Sequence, residues 1–275
     1  MHLINIVEGL LKVKEFLSWQ DYWKFSQIIK FENRFIHNEF VQNFLETVLH
    51  TCKSRETFHK PGRELWRAQL GNATKKMKDF DTNEEWDEPA PYPPERMIPQ
   101  RNLASEGRIN PKGIPCLYLS SKRDTATAEV RPWKKSLISV GRFTNISELK
   151  LVDCSKDLKN AHFFLEEPSS LKKEGSVWAD INNAFSKPIN PDDLRAEYAP
   201  TQIIAELFKN NDYDGIAYKS SYGDGYNIAL FDFDTVEMLE CFLVELEDIS
   251  FNFKKLEYNR YTCKKTKERL CKQNA

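Results

Sequence analysis

Three side chains separated by ten and then eleven residues, Arg108, Tyr118 and Glu129, carry the chemistry this sequence offers most directly. They lie in one stretch, GRINPKGIPCLYLSSKRDTATAEVRP, from Gly107 to Pro132. A guanidinium suits phosphate, an aromatic ring suits stacking, and a carboxylate suits sugar hydroxyls or a developing cation. A small anionic ligand fits that set. The bland alternative for Glu129 is a helix salt bridge to Arg131 or Lys134.

The elements that must position these groups are legible around them. A Gly/Asn/Pro turn carries Arg108, an apolar strand over Ile114 to Leu119 carries Tyr118, and a helix beginning at Asp124 and Thr125 carries Glu129. Strand-to-helix ends of this kind are where ligands usually bind. Upstream, ELWRAQL from Glu64 to Leu70 is a strand with Arg67 embedded among apolar residues. A guanidinium held there needs an anion, which is either a structural carboxylate or a ligand phosphate.

Downstream, Leu137 to Phe143 and Leu149 to Asp153 are strand-like, Asp157 to Leu165 reads as a helix, and Val177 to Phe185 as an amphipathic one. In YAPTQIIAELFKNNDYDGIAYKSSYGDGYNIALFD, Thr201 is expected to cap a helix, and Asp214-Gly215 to turn into the strand Ile216 to Ser220. The GDG loop then leads to Asn227 and the strand Ile228 to Asp232. Alternation places Tyr218 and Ser220 on the face of Ile216. Helices mixed with short hairpins, without βαβ periodicity, make the fold class α+β.

The first fifty residues are helical by period. Leu3, Ile6, Val7, Leu10 and Leu11 form one stripe, and Phe40, Val41, Phe44, Leu45, Val48 and Leu49 another. Residues 1–60 are therefore read as a helical N-terminal domain, 61–245 as the ligand-binding domain and 246–275 as a basic tail. Residues 71–100, acidic and studded with Pro91, Pro93 and Pro94, are expected to be one long loop, a candidate lid.

The 275 residues carry a net charge of -1, which argues against a dedicated nucleic-acid binder. Six scattered cysteines and five histidines form no metal-ligand spacing, so no metal site is expected. The opening MHLINIVEGLLKVKEF is interrupted by charges and reads as neither a signal peptide nor a membrane span, so the expected location is the cytoplasm. No GxSxG, P-loop or GxGxxG is present. Two guanidiniums, one carboxylate and no obligatory histidine are compatible with cleavage of the nicotinamide–ribose bond of NAD. There the leaving group departs neutral and a single carboxylate can stabilise the oxocarbenium-like transition state.

At these residues the sequence resembles the RES-domain family, toxin-type enzymes with an ADP-ribosyltransferase-related fold that degrade NAD. The resemblance spans about Leu65 to Asp232. It rests on the ordered occurrence of LWRA, GRINPKGIPCLYLS, AEVRP, YAPTQIIAELFK, DYDGIAYKS and NIALFD, and departs from simple members in having Ile109, not Trp, after Arg108. It implies mixed or antiparallel sheets with flanking helices, a catalytic set of Arg108, Tyr118 and Glu129, and an NAD site lined by Arg67, Ser220 and Asn227, with Ser221 as an alternative serine. NAD is then substrate and no cofactor is expected. The acceptor is water or phosphate, with ADP-ribose transfer to a macromolecule, or a non-catalytic binding module, as the competing readings. An antitoxin or defence-system partner protein and a homodimer formed through the N-terminal helices are the expected partners.

Overall fold

The computed structural model describes residues 14–100, 103–156, 164–187, 195–250 and 252–254. The stripe Leu3 to Leu11, most of the helix expected over Asp157 to Leu165, and most of the basic tail lie outside them.

Two helices open the described chain. Helix α1 (Asp21–Phe31) turns Tyr22, Phe25, Ile28 and Ile29 inward. The Asp21 carboxylate accepts hydrogen bonds from the Leu17 and Ser18 amides just before it. Helix α2 (Glu39–Thr51) starts where the Asn38 side chain accepts from the Val41 amide, a preferred N-cap contact, and buries Val41, Phe44, Leu45 and Val48. Phe25 and Phe44 stack between them at 4.4 Å.

An eight-stranded mixed sheet follows, in the order β1-β7-β8-β9-β5-β2-β6-β10. Its strands are β1 (Glu56–His59), β2 (Glu64–Leu70), β5 (Leu117–Ser120), β6 (Leu137–Asn145), β7 (Leu149–Asp153), β8 (Gly215–Lys219), β9 (Tyr226–Leu230) and β10 (Val236–Glu245). Only β7 and β8 pair in parallel, through the connection that contains α5 (Ser170–Ser186) and α6 (Ala199–Lys209). The fold is α+β, as expected. The sequence reading missed β1 and β10, the two edges.

Alternation gives the sheet two apolar faces. Val152, Ile216, Tyr218 and Ala229 join the inner sides of α1, α2, α5 and α6 in one cluster. On the other face Leu117, Leu119, Leu151, Ile228 and Leu230 meet Leu65 and Phe143. Strands β1 and β6 stand near opposite ends of the strand order, yet Asn145 of β6 donates its Nδ2 to the His59 carbonyl of β1 at 3.0 Å, so the sheet is curled. Fully buried side chains of this size contribute about 1.5–3 kcal/mol each relative to exposure.

Residues 71–100 are not one loop. Strands β3 (Ala73–Lys78) and β4 (Glu85–Ala90) form a separate two-stranded ribbon, followed by the single helical turn α3 (Pro94–Met97). The register sets Lys75 opposite Glu88, Lys76 opposite Asp87 and Lys78 opposite Glu85. Opposed charges favour such pairs without any apolar alternation, and a two-stranded ribbon tolerates Pro89.

Candidate active site

The turn that carries Arg108 is held from three sides. Gly107 donates its amide to the Asn110 carbonyl at 2.9 Å, closing the turn. A Cβ on Gly107 would sit 2.6 Å from the Tyr118 hydroxyl and 2.8 Å from Asn110 Oδ1, so glycine is required by close approach. The Tyr118 hydroxyl donates to Asn110 Oδ1 at 2.7 Å and accepts from the Ile109 amide. From α6, Thr201 Oγ1 donates to the Arg108 carbonyl at 2.6 Å and Gln202 Nε2 to the Gly107 carbonyl at 2.8 Å. Thr201 therefore does not cap the helix: α6 begins earlier, at Ala199, and Thr201 fixes the Arg108 turn instead.

Strand register brings the second group together. Tyr218 of β8, Asn227 of β9, Ser120 of β5 and Trp66 of β2 stand side by side across four strands. Glu129 is the last residue of α4 (Arg123–Glu129), which follows β5 and packs on β2. Its Oε1 accepts from Ser220 Oγ at 2.7 Å and from Asn227 Nδ2 at 2.6 Å. Asn227 is in turn oriented by Ser120, whose Oγ donates to Asn227 Oδ1 at 2.7 Å. Ser120, Ser220 and Asn227 are buried.

These groups line a cleft of about 280 Å³ whose walls include Trp66, Arg67, Tyr118, Glu129, Tyr218 and Asn227. Arg67 Nη1 donates to the Tyr118 carbonyl at 3.1 Å, while its enclosed Nε has no partner. No carboxylate among the described residues pairs with it. Burial pushes the Arg67 guanidinium down to about 10, with Arg96 adding like-charge repulsion, so it stays a cation at neutral pH. Burial raises the Tyr118 and Tyr218 phenols well above their ordinary range, and the Glu129 charge adds to the effect at Tyr218. Both hydroxyls remain protonated.

The sequence-derived set thus divides. Arg67, Tyr118, Glu129 and Asn227 line the cleft, and Ser220 joins them from behind through its bond to Glu129. Arg108 and Ser221 face a different hollow, a groove of about 630 Å³ between α1 and α5. There Arg108 Nη1 donates to the Phe185 carbonyl at 2.6 Å, and exposed Ser221 donates to the Ser186 carbonyl at 2.7 Å. Tyr218 lines the cleft, and its ring lies 6.1 Å from that of Phe185, whose carbonyl takes the Arg108 hydrogen bond, so it stands between the two hollows. Ser120 was not singled out from sequence, although alternation in LYLS puts it on the face of Tyr118. Among the described residues no group of three or more His, Cys, Asp or Glu is arranged to hold a metal ion, and no helix is long and apolar enough to cross a membrane.

The family model described as the RES domain matches residues 64–252, from the first residue of β2 to beyond β10. No curated protein matches the chain. Among solved structures it is similar to a chain in the crystal structure of the M. tuberculosis MbcT–MbcA toxin–antitoxin complex, at 11% identity and a TM-score of 0.42, covering 73% of this chain and 96% of that one.

Proposed function

We propose that this chain, which belongs to the RES-domain family, is an enzyme that cleaves the nicotinamide–ribose bond of NAD. The observation that carries the reading is the Glu129 carboxylate, fixed by Ser220 and Asn227 in a cleft walled by a cationic arginine and two protonated tyrosines. Heterolysis of the bond sends its electron pair to the pyridinium nitrogen, so nicotinamide leaves neutral and needs no acid. Positive charge then develops at the ribose carbon, and a pre-oriented carboxylate stabilises it without reorganising. Both hydrogen bonds fall on Oε1, so Oε2 is the oxygen left to face ribose hydroxyls or the cation. Arg67, lacking a carboxylate partner, supplies a site for phosphate oxygens. Attack by water at the ribose carbon, with loss of a proton, gives ADP-ribose; attack by inorganic phosphate gives a phosphorylated ADP-ribose.

The catalytic unit on this reading is 61–245 together with the edge strand β1 and the helices α1 and α2, which share its sheet and core, so 1–60 does not stand apart as a helical domain; 246–275 is a basic tail. Consumption of NAD poisons the producing cell, so the role is that of a toxin or defence effector restrained by a partner protein. The test is Glu129→Gln, which keeps size and shape but removes the charge. Nicotinamide release should fall by about 10²–10³-fold while thermal unfolding stays at the wild-type value. Wild-type turnover in that variant would remove Glu129 from the mechanism.

A further inference from the structure

The Glu129 cleft is too small for a whole dinucleotide. Its volume of about 280 Å³ lies below the range of about 300–1,000 Å³ typical of pockets that enclose ligands of that size. The remainder of the substrate must lie in a neighbouring hollow. One, of about 210 Å³, sits beside Arg67, Gln69 and Arg96 and is smaller still. A second, of about 380 Å³, meets the cleft at Trp66, but its arginine, Arg123, is already paired with Asp124, and Glu64 adds a further carboxylate. A third is the groove of about 630 Å³ that holds Arg108.

The near end of that groove has polar groups suited to a diphosphate. No carboxylate among the described residues pairs with Arg108, and Ser186 Oγ is buried without a partner. Exposed Ser221 follows directly on Ser220, which holds Glu129, so this end adjoins the proposed reaction centre. The far wall is α1, outside the residues matched by the RES model. It contributes Trp23, Gln27 and Lys30. The Trp23 indole N–H donates to Asp180 Oδ2 at 2.9 Å, which pins the ring edge, and the residue is 63% exposed. A pinned, exposed indole is a stacking surface for a base. The Asp180 carboxylate beside it is an acceptor of the kind that holds ribose hydroxyls.

Given the NAD reading above, on which this rests, we propose that helix α1 completes the nucleotide subsite. The ADP half of the dinucleotide lies in the groove, with its diphosphate at Arg108, Ser186 and Ser221 and its adenine on Trp23. Trp23 is then a specificity-determining residue, and α1 distinguishes the dinucleotide from nicotinamide mononucleotide, which lacks the adenosine.

The test compares kinetics on NAD and on nicotinamide mononucleotide in the full-length chain. Trp23→Ala should raise KM for NAD by about tenfold, the effect of losing one base–aromatic stack, with kcat and the KM for the mononucleotide shifting less than about twofold on the same scale. Trp23→Phe, which keeps a stacking ring, should restore most of the NAD affinity. Titration with ADP-ribose should quench tryptophan fluorescence more in the wild type than in Trp23→Phe, where only Trp66 of the cleft is left near the ligand, a readout independent of turnover. Equal KM values for NAD in wild type and Trp23→Ala, with the same ADP-ribose quench in wild type and Trp23→Phe, overturn the subsite while leaving the reaction standing. A loss of NAD selectivity in Arg96→Ala but not in Trp23→Ala also overturns it, and moves the ADP half to the hollow beside Arg67. Quenching by ADP-ribose that is lost in Trp23→Phe, in a protein that releases no nicotinamide, supports the subsite and defeats the reaction.

Discussion

In the Glu129 cleft the carboxylate, amide and hydroxyls hold one another, whereas in the Arg108 groove the Ser186 hydroxyl has no partner and Arg108 has no carboxylate. Ser120 orients Asn227, and Asn227 and Ser220 orient Glu129. Across Tyr218, Arg108 has only a backbone carbonyl and Ser186 Oγ has nothing. Unmet buried donors cost stability, and a protein keeps them where a ligand will meet them. The contrast separates two tasks: the cleft is preorganised for a charge that develops during reaction, and the groove waits for charges that arrive with the substrate.

Breaking the preorganised side should have the largest effect. Asn227→Ala removes the 2.6 Å donor to Glu129 and strands the Ser120 hydroxyl. We expect kcat for nicotinamide release to fall by about 10²–10³-fold, and a fall under tenfold would mean the hydrogen-bonded chain is not what tunes Glu129.

Arg67 belongs to both descriptions, since it walls the cleft yet lacks an anion. Arg67→Met keeps the stem and removes a cation with an unsatisfied Nε. The variant should bind NAD about tenfold more weakly and melt about 2–4 °C higher. A lower melting temperature would mean that the cation is paired within the protein after all.

The smallest effect concerns the groove alone. Burial raises the Asp180 carboxyl from its usual 3.8 to about 6, partly offset by the Trp23 hydrogen bond. A raised acid means the folded chain keeps a proton that the unfolded chain releases between those two values. Wild type should therefore lose stability relative to Asp180→Asn as pH climbs from about 4 to about 6, and the gap should then stay constant. Thermal unfolding of both proteins across that window measures it, and parallel curves would place Asp180 in water.

Much of this was legible in the chain. ELWRAQL is apolar around Arg67, LISVGRF and the Ile216–Asp232 hairpin have the β-branched and aromatic residues that strands favour, and five of seven selected polar residues meet at one cleft. The partition of Arg108 from Glu129 was not legible, because it depends on how Tyr118 and Tyr218 stand between them after the sheet curls. The β3–β4 ribbon was hidden because opposed lysines and carboxylates, not alternation, set its register. Edge strand β10 was hidden for a related reason: its outward positions carry Glu237, Glu240 and Glu245 among half-buried apolar residues. Ser120 lay within reach of a period-two argument but gains meaning only from its pairing with Asn227.

NAD cleavage at the Glu129 cleft is decided by incubating the purified chain with NAD, with and without inorganic phosphate, and following the products by NMR. Free nicotinamide is expected, together with ADP-ribose if water is the acceptor or a phosphorylated ADP-ribose that appears only with phosphate. Intact NAD after incubation with protein shown to be folded and free of any bound partner would contradict it.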